Sequence, residues 1–199
     1  MTRAADGGPR KRGRPTESER EQRREEILDA AVRLFLQHGY GGVSLDRLAT
    51  EAKVTKRTIY AYVGDKTEVF TAAVARLNRE VLPEAEPVDR QVRTPGASAL
   101  EALAVRLVIT LHSDVAVGLH RMVIAEAHQF PDLATGFYAA GPQRYIAALS
   151  DLVPCPEELF TLLLGEPHRR RLLGLDAPPS RTQAEAHVNG VLELLDLSR

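Results

Sequence analysis

The sequence predicts an all-α protein, with an N-terminal three-helix domain that contains a helix-turn-helix and a larger helical body behind it. Three observations predict it. Apolar residues recur at helical spacing along most of the 199 residues. Ser, Thr or Asp followed three residues later by Glu or Gln opens several of those segments, the pattern of a capping box. Glycine-bounded alternation of β-branched residues, the mark of strands, is missing.

Residues 1–15 read as a disordered basic arm. Arg10-Lys11-Arg12-Gly13-Arg14-Pro15 contains no acid, and RGRP looks like the core of an AT-hook. Arg12 and Arg14 then either enter a narrow A·T minor groove or form a solvated tail attracted to phosphate. Thr16-Glu17-Ser18-Glu19 has capping-box form and opens helix 1. That helix runs to about His38, with Ile27, Ala31, Leu34 and Phe35 as its core stripe and Gly39 as its stop.

Ser44 caps helix 2, which runs to about Ala52; Leu45, Leu48, Ala49 and Ala52 fall at i, i+3, i+4 and i+7 and form one buried stripe. After a turn at Lys53-Val54, Thr55 caps helix 3, and Val54 and Ile59 plug the same small core. Lys56, Arg57, Thr58, Tyr60 and Tyr62 are left with few apolar neighbours, so several face outward. A short helix offering cations, hydroxyls and aromatics from its N-terminal end suits the major groove of DNA. Arg57 has the planar fork for a guanine edge.

Asp65-Lys66-Thr67-Glu68 is another capping box and starts helix 4, which reaches about Leu82. Pro83, Pro87 and Pro95 punctuate an acidic stretch. The expected divisions are therefore an arm at 1–15, a helix-turn-helix domain at 16–64, a connecting helix at 65–82, a linker at 83–97 and a body at 98–199. Ser98-Ala-Leu-Glu101 opens the body, whose helical run to Asp151 is interrupted near Gly118, at Pro131 and at Gly141-Pro142. Pro178-Pro179 precedes a capping box at Ser180–Gln183 and a final helix to about Leu197.

Composition narrows the classes. The 44% hydrophobic share is ordinary for a globular chain. No apolar run approaches the ~18 residues of a membrane helix. The N-terminus lacks the apolar segment of a secretory signal. The single cysteine, Cys155, cannot build an internal disulfide framework and fits a reducing cytoplasm; with no cation beside it in sequence it reads as inert rather than redox-sensing. Net charge is −1, but residues 1–66 hold 14 Lys+Arg against 10 Asp+Glu, and residues 67–199 hold 12 against 17. An attractive end and an acidic body suit a polyanionic partner at one end only.

The stretch from Val43 to Lys66, VSLDRLATEAKVTKRTIYAYVGDK, resembles the DNA-binding domain of the TetR family of bacterial repressors, and the likeness extends over about residues 20–82. Lys53 stands where that family usually has Gly, and Val63 replaces the usual Phe. Arg121 to Pro142, RMVIAEAHQFPDLATGFYAAGP, looks like the body of a branch that includes regulators of multidrug efflux. Between Leu152 and Glu157 the chain is shorter than that branch.

The resemblance implies a cytoplasmic homodimer whose C-terminal domain binds an effector and dimerises, and which a small molecule releases from a palindromic double-stranded DNA operator. It implies Thr55, Lys56, Arg57, Thr58, Tyr60 and Tyr62 in or beside the groove, with Ser44 and Lys66 on phosphates. Helices around 157–173 and 180–197 would form a four-helix dimer interface, with Leu159, Leu162, Leu163, Val191, Leu194 and Leu195 as its seams.

In the body, His112, His120, Glu126, Tyr138 and Tyr145 are polar groups on apolar helices and become the candidate effector contacts. His112, His120 and His128 lie eight apart, which does not keep them on one helical face, so no metal or other cofactor is expected. Arg169-Arg170-Arg171 suits a helix C-terminus rather than a second nucleic-acid patch. No catalytic signature appears, which leaves a small helical enzyme and a ligand-independent DNA architectural protein as the competing readings.

Overall fold

The computed structural model describes residues 16–81 and 99–197, all of whose regular structure is helical. The basic arm with Arg12 and Arg14, the proline-rich stretch and Ser98 lie outside the described residues. The helices are α1 Glu17–His38, α2 Leu45–Glu51, α3 Lys56–Tyr62, α4 Lys66–Val81, α5 Ala99–Leu111, α6 Asp114–Glu126, α7 Pro131–Ala140, α8 Pro142–Ser150, α9 Pro156–Leu173 and α10 Arg181–Leu194.

Local chemistry sets most of these ends. Thr16 and Ser180 form reciprocal capping boxes with Glu19 and Gln183. Asp65 and Glu68 exchange the same pair of bonds, Glu68 N donating to Asp65 Oδ1 at 2.8 Å and Asp65 N to Glu68 Oε2 at 2.7 Å. Pro131, Pro142 and Pro156 each begin a helix, where a missing N–H costs nothing.

Two expectations need correction. The break between α5 and α6 falls at Ser113, which caps α6, and Gly118 lies inside α6. A Cβ at Gly118 would stand 2.6 Å from Leu36 Cδ2, so this glycine permits α6 to approach α1 rather than ending a helix. Helix α9 is also not a single rod. Pro167 within it removes an N–H and crowds the preceding turn, and Gly165 adopts φ 48°, ψ −151° at the resulting kink.

Two apolar clusters hold the molecule together. One joins α1–α4 to α6 and α7, with Phe35, Tyr40 and Phe70 packed ring on ring and Leu119, Met122 and Leu133 closing them from the body. The other lies among α5, α8, α9 and α10 around Leu107, Tyr145, Leu159 and Val188. Arg76 and Arg79 of α4 both bind Glu25 of α1, and Arg76 also binds Asp29, which fixes the two helices side by side. Leu159, Leu163 and Val191 belong to the second cluster and are buried within the chain, so they are not available as seams between subunits. Leu162 and Leu195 are half-buried, and Leu194, Leu173 and Leu175 are exposed. Among the described residues no single helix is long and apolar enough to cross a membrane.

Candidate functional site

The α2–α3 unit is small, and its geometry follows from two polar caps, a left-handed turn and one anchor. Ser44 Oγ accepts from Arg47 N at 3.2 Å, and Thr55 Oγ1 accepts from Thr58 N at 3.1 Å. Lys53 adopts φ 53° in the turn, the left-handed conformation that favours glycine. Ile59 is fully buried and pins α3 to the core, with Val54 half-buried beside it.

The opposite flank of α3 is open. Lys56, Arg57 and Tyr60 are exposed, Tyr60 by 54%. Lys56 Nζ lies 3.1 Å from Asp46 Oδ2 on α2, whereas Arg57 makes no ion pair among the described residues. Thr55 and Thr58 join their hydroxyls at 2.8 Å at the helix start. Arg47, which sequence reasoning did not select, is exposed one turn from Ser44, with Nη2 2.6 Å from His38 Nε2.

Two residues assigned to this face are placed differently. Tyr62 is half-buried against the core, with the Arg20 guanidinium 5.5 Å above its ring. The Lys66 ammonium lies 4.2 Å from the Tyr40 ring centroid and 5.8 Å from that of Phe130, so it faces aromatic rings at the junction with α7 instead of open solvent. Burial pushes its pKa down and the Glu126 carboxylate partly offsets this.

Glu126 also departs from expectation. It stands at the end of α6 and lines neither the histidine-walled cavity of the body nor the one beside Arg171, and its carboxylate accepts from Tyr40 N at 2.6 Å and from Gly41 N at 2.5 Å. A Cβ at Gly39 would lie 2.5 Å from Glu126 Oε1, so glycine there leaves room for the carboxylate. Glu126 thus ties α6 to the loop that carries the chain into α2.

The body encloses a cavity of about 60 Å³. Val74 and Leu77 of α4 form one wall, and His120, Phe137, Tyr145 and His168 stand among the others. Of the candidate effector contacts, His120 and Tyr145 line it. Tyr145 stacks on Phe160 with centroids 6.0 Å apart. Tyr138 is 55% exposed and does not line the cavity. His112 is buried behind it, its Nδ1 2.8 Å from the Val108 carbonyl, and lines a second, more polar cavity with Arg171 and His187.

His168 is the residue that sequence reasoning missed. It lies 48 positions from His120, yet His168 Nε2 and His120 Nδ1 are 3.1 Å apart and the rings stack at 5.3 Å. The His112 ring meets His168 edge-on at 5.1 Å. Burial lowers the pKa of all three imidazoles. That of His168 falls to about 4, the positive charges that His112, His120 and Arg171 can carry adding to the effect of burial. Among the described residues no group of three or more His, Cys, Asp or Glu side chains is arranged to hold a metal ion, these three imidazoles included.

Arg171, read from sequence as dipole compensation, is mainly a staple. It is buried and donates to the His112 and Asp176 carbonyls at 2.9 and 2.6 Å and to Asp114 Oδ1 at 2.7 Å.

Comparison with known proteins matches both halves. Residues 27–73 match the family model of bacterial regulatory proteins of the tetR family, and residues 98–154 that of the AefR-like transcriptional repressor C-terminal domain. The chain is 33% identical over 111 residues to the transcriptional regulator AcrR of Shigella flexneri, an alignment covering 56% of this chain and 50% of that protein. The alignments span only 26% to 50% of the first curated relatives it matches.

A TetR-family regulator structure from Mesorhizobium loti MAFF303099 superposes with a TM-score of 0.65 at 26% identity, covering 90% of this chain and 96% of that one. The flavonoid-responsive regulator FrrA superposes with a TM-score of 0.62 at 25% identity, covering 87% and 95%. With a capped reader helix at one end, a matching body at the other and the same fold over nine-tenths of its length, this chain belongs to the TetR family of bacterial transcriptional regulators.

Proposed function

We propose that this protein is a cytoplasmic homodimeric repressor that holds a palindromic operator through α3 and is released by a small molecule bound in the body cavity. The observation that carries the reading is the two-sided character of α3. Ile59 anchors one flank while Arg57 and Tyr60 stand exposed on the other, an arrangement that suits entry into a major groove. Thr55, Lys56 and Thr58 would lie at the groove edge, and Ser44 with Arg47 at the phosphates. Arg12 and Arg14 are proposed as minor-groove or phosphate contacts from the arm.

Two readers related by a two-fold axis would meet half-sites about one helical turn apart or somewhat more, ~35 Å or above. The exposed Leu194, with half-buried Leu162 and Leu195, offers apolar surface on α9 and α10 for the partner subunit. Release by a small molecule is supported by Val74 and Leu77, since filling the cavity presses directly on α4, which leads back to the reader. The flavonoid response named for FrrA supports a ligand-governed regulator over a ligand-independent architectural protein.

The test is selection of bound fragments from random DNA, followed by titration of the winning site with Arg57→Ala and Tyr60→Ala. Each substitution should weaken binding about tenfold or more while the melting temperature holds. Unchanged affinity in both removes α3 as the reader.

A further inference from the structure

Among the described residues, the walls of the body cavity carry no carboxylate, ammonium or guanidinium; Thr110, His120, Tyr145 and His168 are the polar side chains there. The two imidazoles are held neutral near pH 7 by burial. Arg171 behind them is already committed to two carbonyls and Asp114. A cationic guest would find no counter-charge on these walls. An anionic one would have to force a proton onto an imidazole against the cost of burial.

Two buried polar atoms are without a partner among the described residues, His112 Nε2 and His168 Nδ1, and of the two residues only His168 lines this cavity. His168 is only 7% exposed, and its Nδ1 makes no hydrogen bond. A single proton lies between His120 Nδ1 and His168 Nε2, and its position decides what His168 Nδ1 requires. If His120 donates, neutral His168 carries its hydrogen on Nδ1 and needs an acceptor. If His168 donates, Nδ1 is bare and needs a donor. A hydroxyl satisfies either tautomer. The cavity that Phe137, Tyr145 and Phe160 share with His168 is aromatic: Phe137 lies 5.3 Å from the His120 ring, and Tyr145 stacks on Phe160.

Resting on the effector reading above, we infer that the cavity takes an uncharged one-ring aromatic molecule bearing a hydroxyl, its ring against Phe137, Tyr145 and Phe160 and its hydroxyl paired with His168 Nδ1. At about 60 Å³ the cavity must widen both to admit a ring and to uncover His168 Nδ1, which is shut off in this structure, and Val74 and Leu77 are the part of the wall that belongs to the connecting helix.

The experiment measures binding of four probes to the full chain by calorimetry, and operator release separately. The probes are 4-ethylphenol, ethylbenzene, 4-ethylbenzoate and benzyltrimethylammonium. 4-Ethylphenol should bind about tenfold tighter than ethylbenzene, the worth of one hydrogen bond, and the two ions should not bind. His168→Phe should erase the preference for the phenol while ethylbenzene still binds. If that variant does not fold, His168→Asn and the four-probe series on the unaltered protein decide the matter.

An ion binding as tightly as the phenol, equal affinity for phenol and ethylbenzene, or no binding of any probe overturns the proposal. Binding of the phenol without operator release upholds the ligand class and overturns the effector reading. Release by an ion does the reverse.

Discussion

At the residue scale, the assignments that sequence supported were those decided within one turn of helix. Thr16, Ser44, Thr55 and Ser180 each cap the helix that follows them, because the cap bond spans three residues and needs no tertiary partner. Lys53 was legible through the resemblance, which puts glycine at that position of the turn. Its φ of 53° makes Lys53→Gly stabilising by up to about 1 kcal/mol, partly offset by glycine's greater freedom when unfolded, and a urea midpoint checks it. The aromatic setting of Lys66 was not legible because its neighbours are remote in sequence. Its ammonium sits over Tyr40, so Lys66→Ala should lower stability by about 1 kcal/mol, read as a fall in melting temperature. Lys66→Arg should restore part of that loss, whereas a phosphate contact alone would leave the melting temperature unmoved.

At the scale of elements, helix ends were legible and helix contacts were not. Gly118 looked like a break because glycine disfavours helix, but its use is the close passage of α6 over α1, which depends on Leu36. Glu126 looked like a polar group aimed into the body, yet its partners are amides 85 and 86 residues earlier. Glu126→Ala strands the Tyr40 and Gly41 amides and should cost about 1–2 kcal/mol, visible in thermal melts. If α6 steadies the reader, the same substitution should also weaken operator binding. Gly39→Ala should act in the same direction, because its new methyl meets the carboxylate and its φ of 69° disfavours a side chain.

At the scale of the whole molecule, the histidine cluster makes stability depend on acid. The folded-state pKa of His168 is about 4 against a usual 6.5, so between those values the unfolded chain binds a proton that the folded chain refuses. Stability is therefore fully present above pH 6.5 and is lost as pH falls through the window towards 4. The loss from His168 should be about 1–3 kcal/mol, with His112 and His120 adding in the same direction. Denaturation midpoints at pH 7 and pH 5 check it, and His168→Phe should flatten the difference. The all-helical architecture was legible from periodicity and caps. The cavity was not, because it is assembled from six helices, α4 to α9, whose mutual placement only packing decides.

The reader and the body share one apolar interior, with Tyr40 packed on Phe130 at 5.0 Å and Phe35 and Phe70 in the same cluster as Leu119, Met122 and Leu133. Cutting the protein after residue 81 would therefore peel away 5 of the 18 buried residues of that lining. A truncated fragment of residues 16–81 should be sticky and poorly structured, unable to compete with the intact chain for its operator. Any attempt to borrow this reader for a synthetic switch has to carry α6 and α7 along with it.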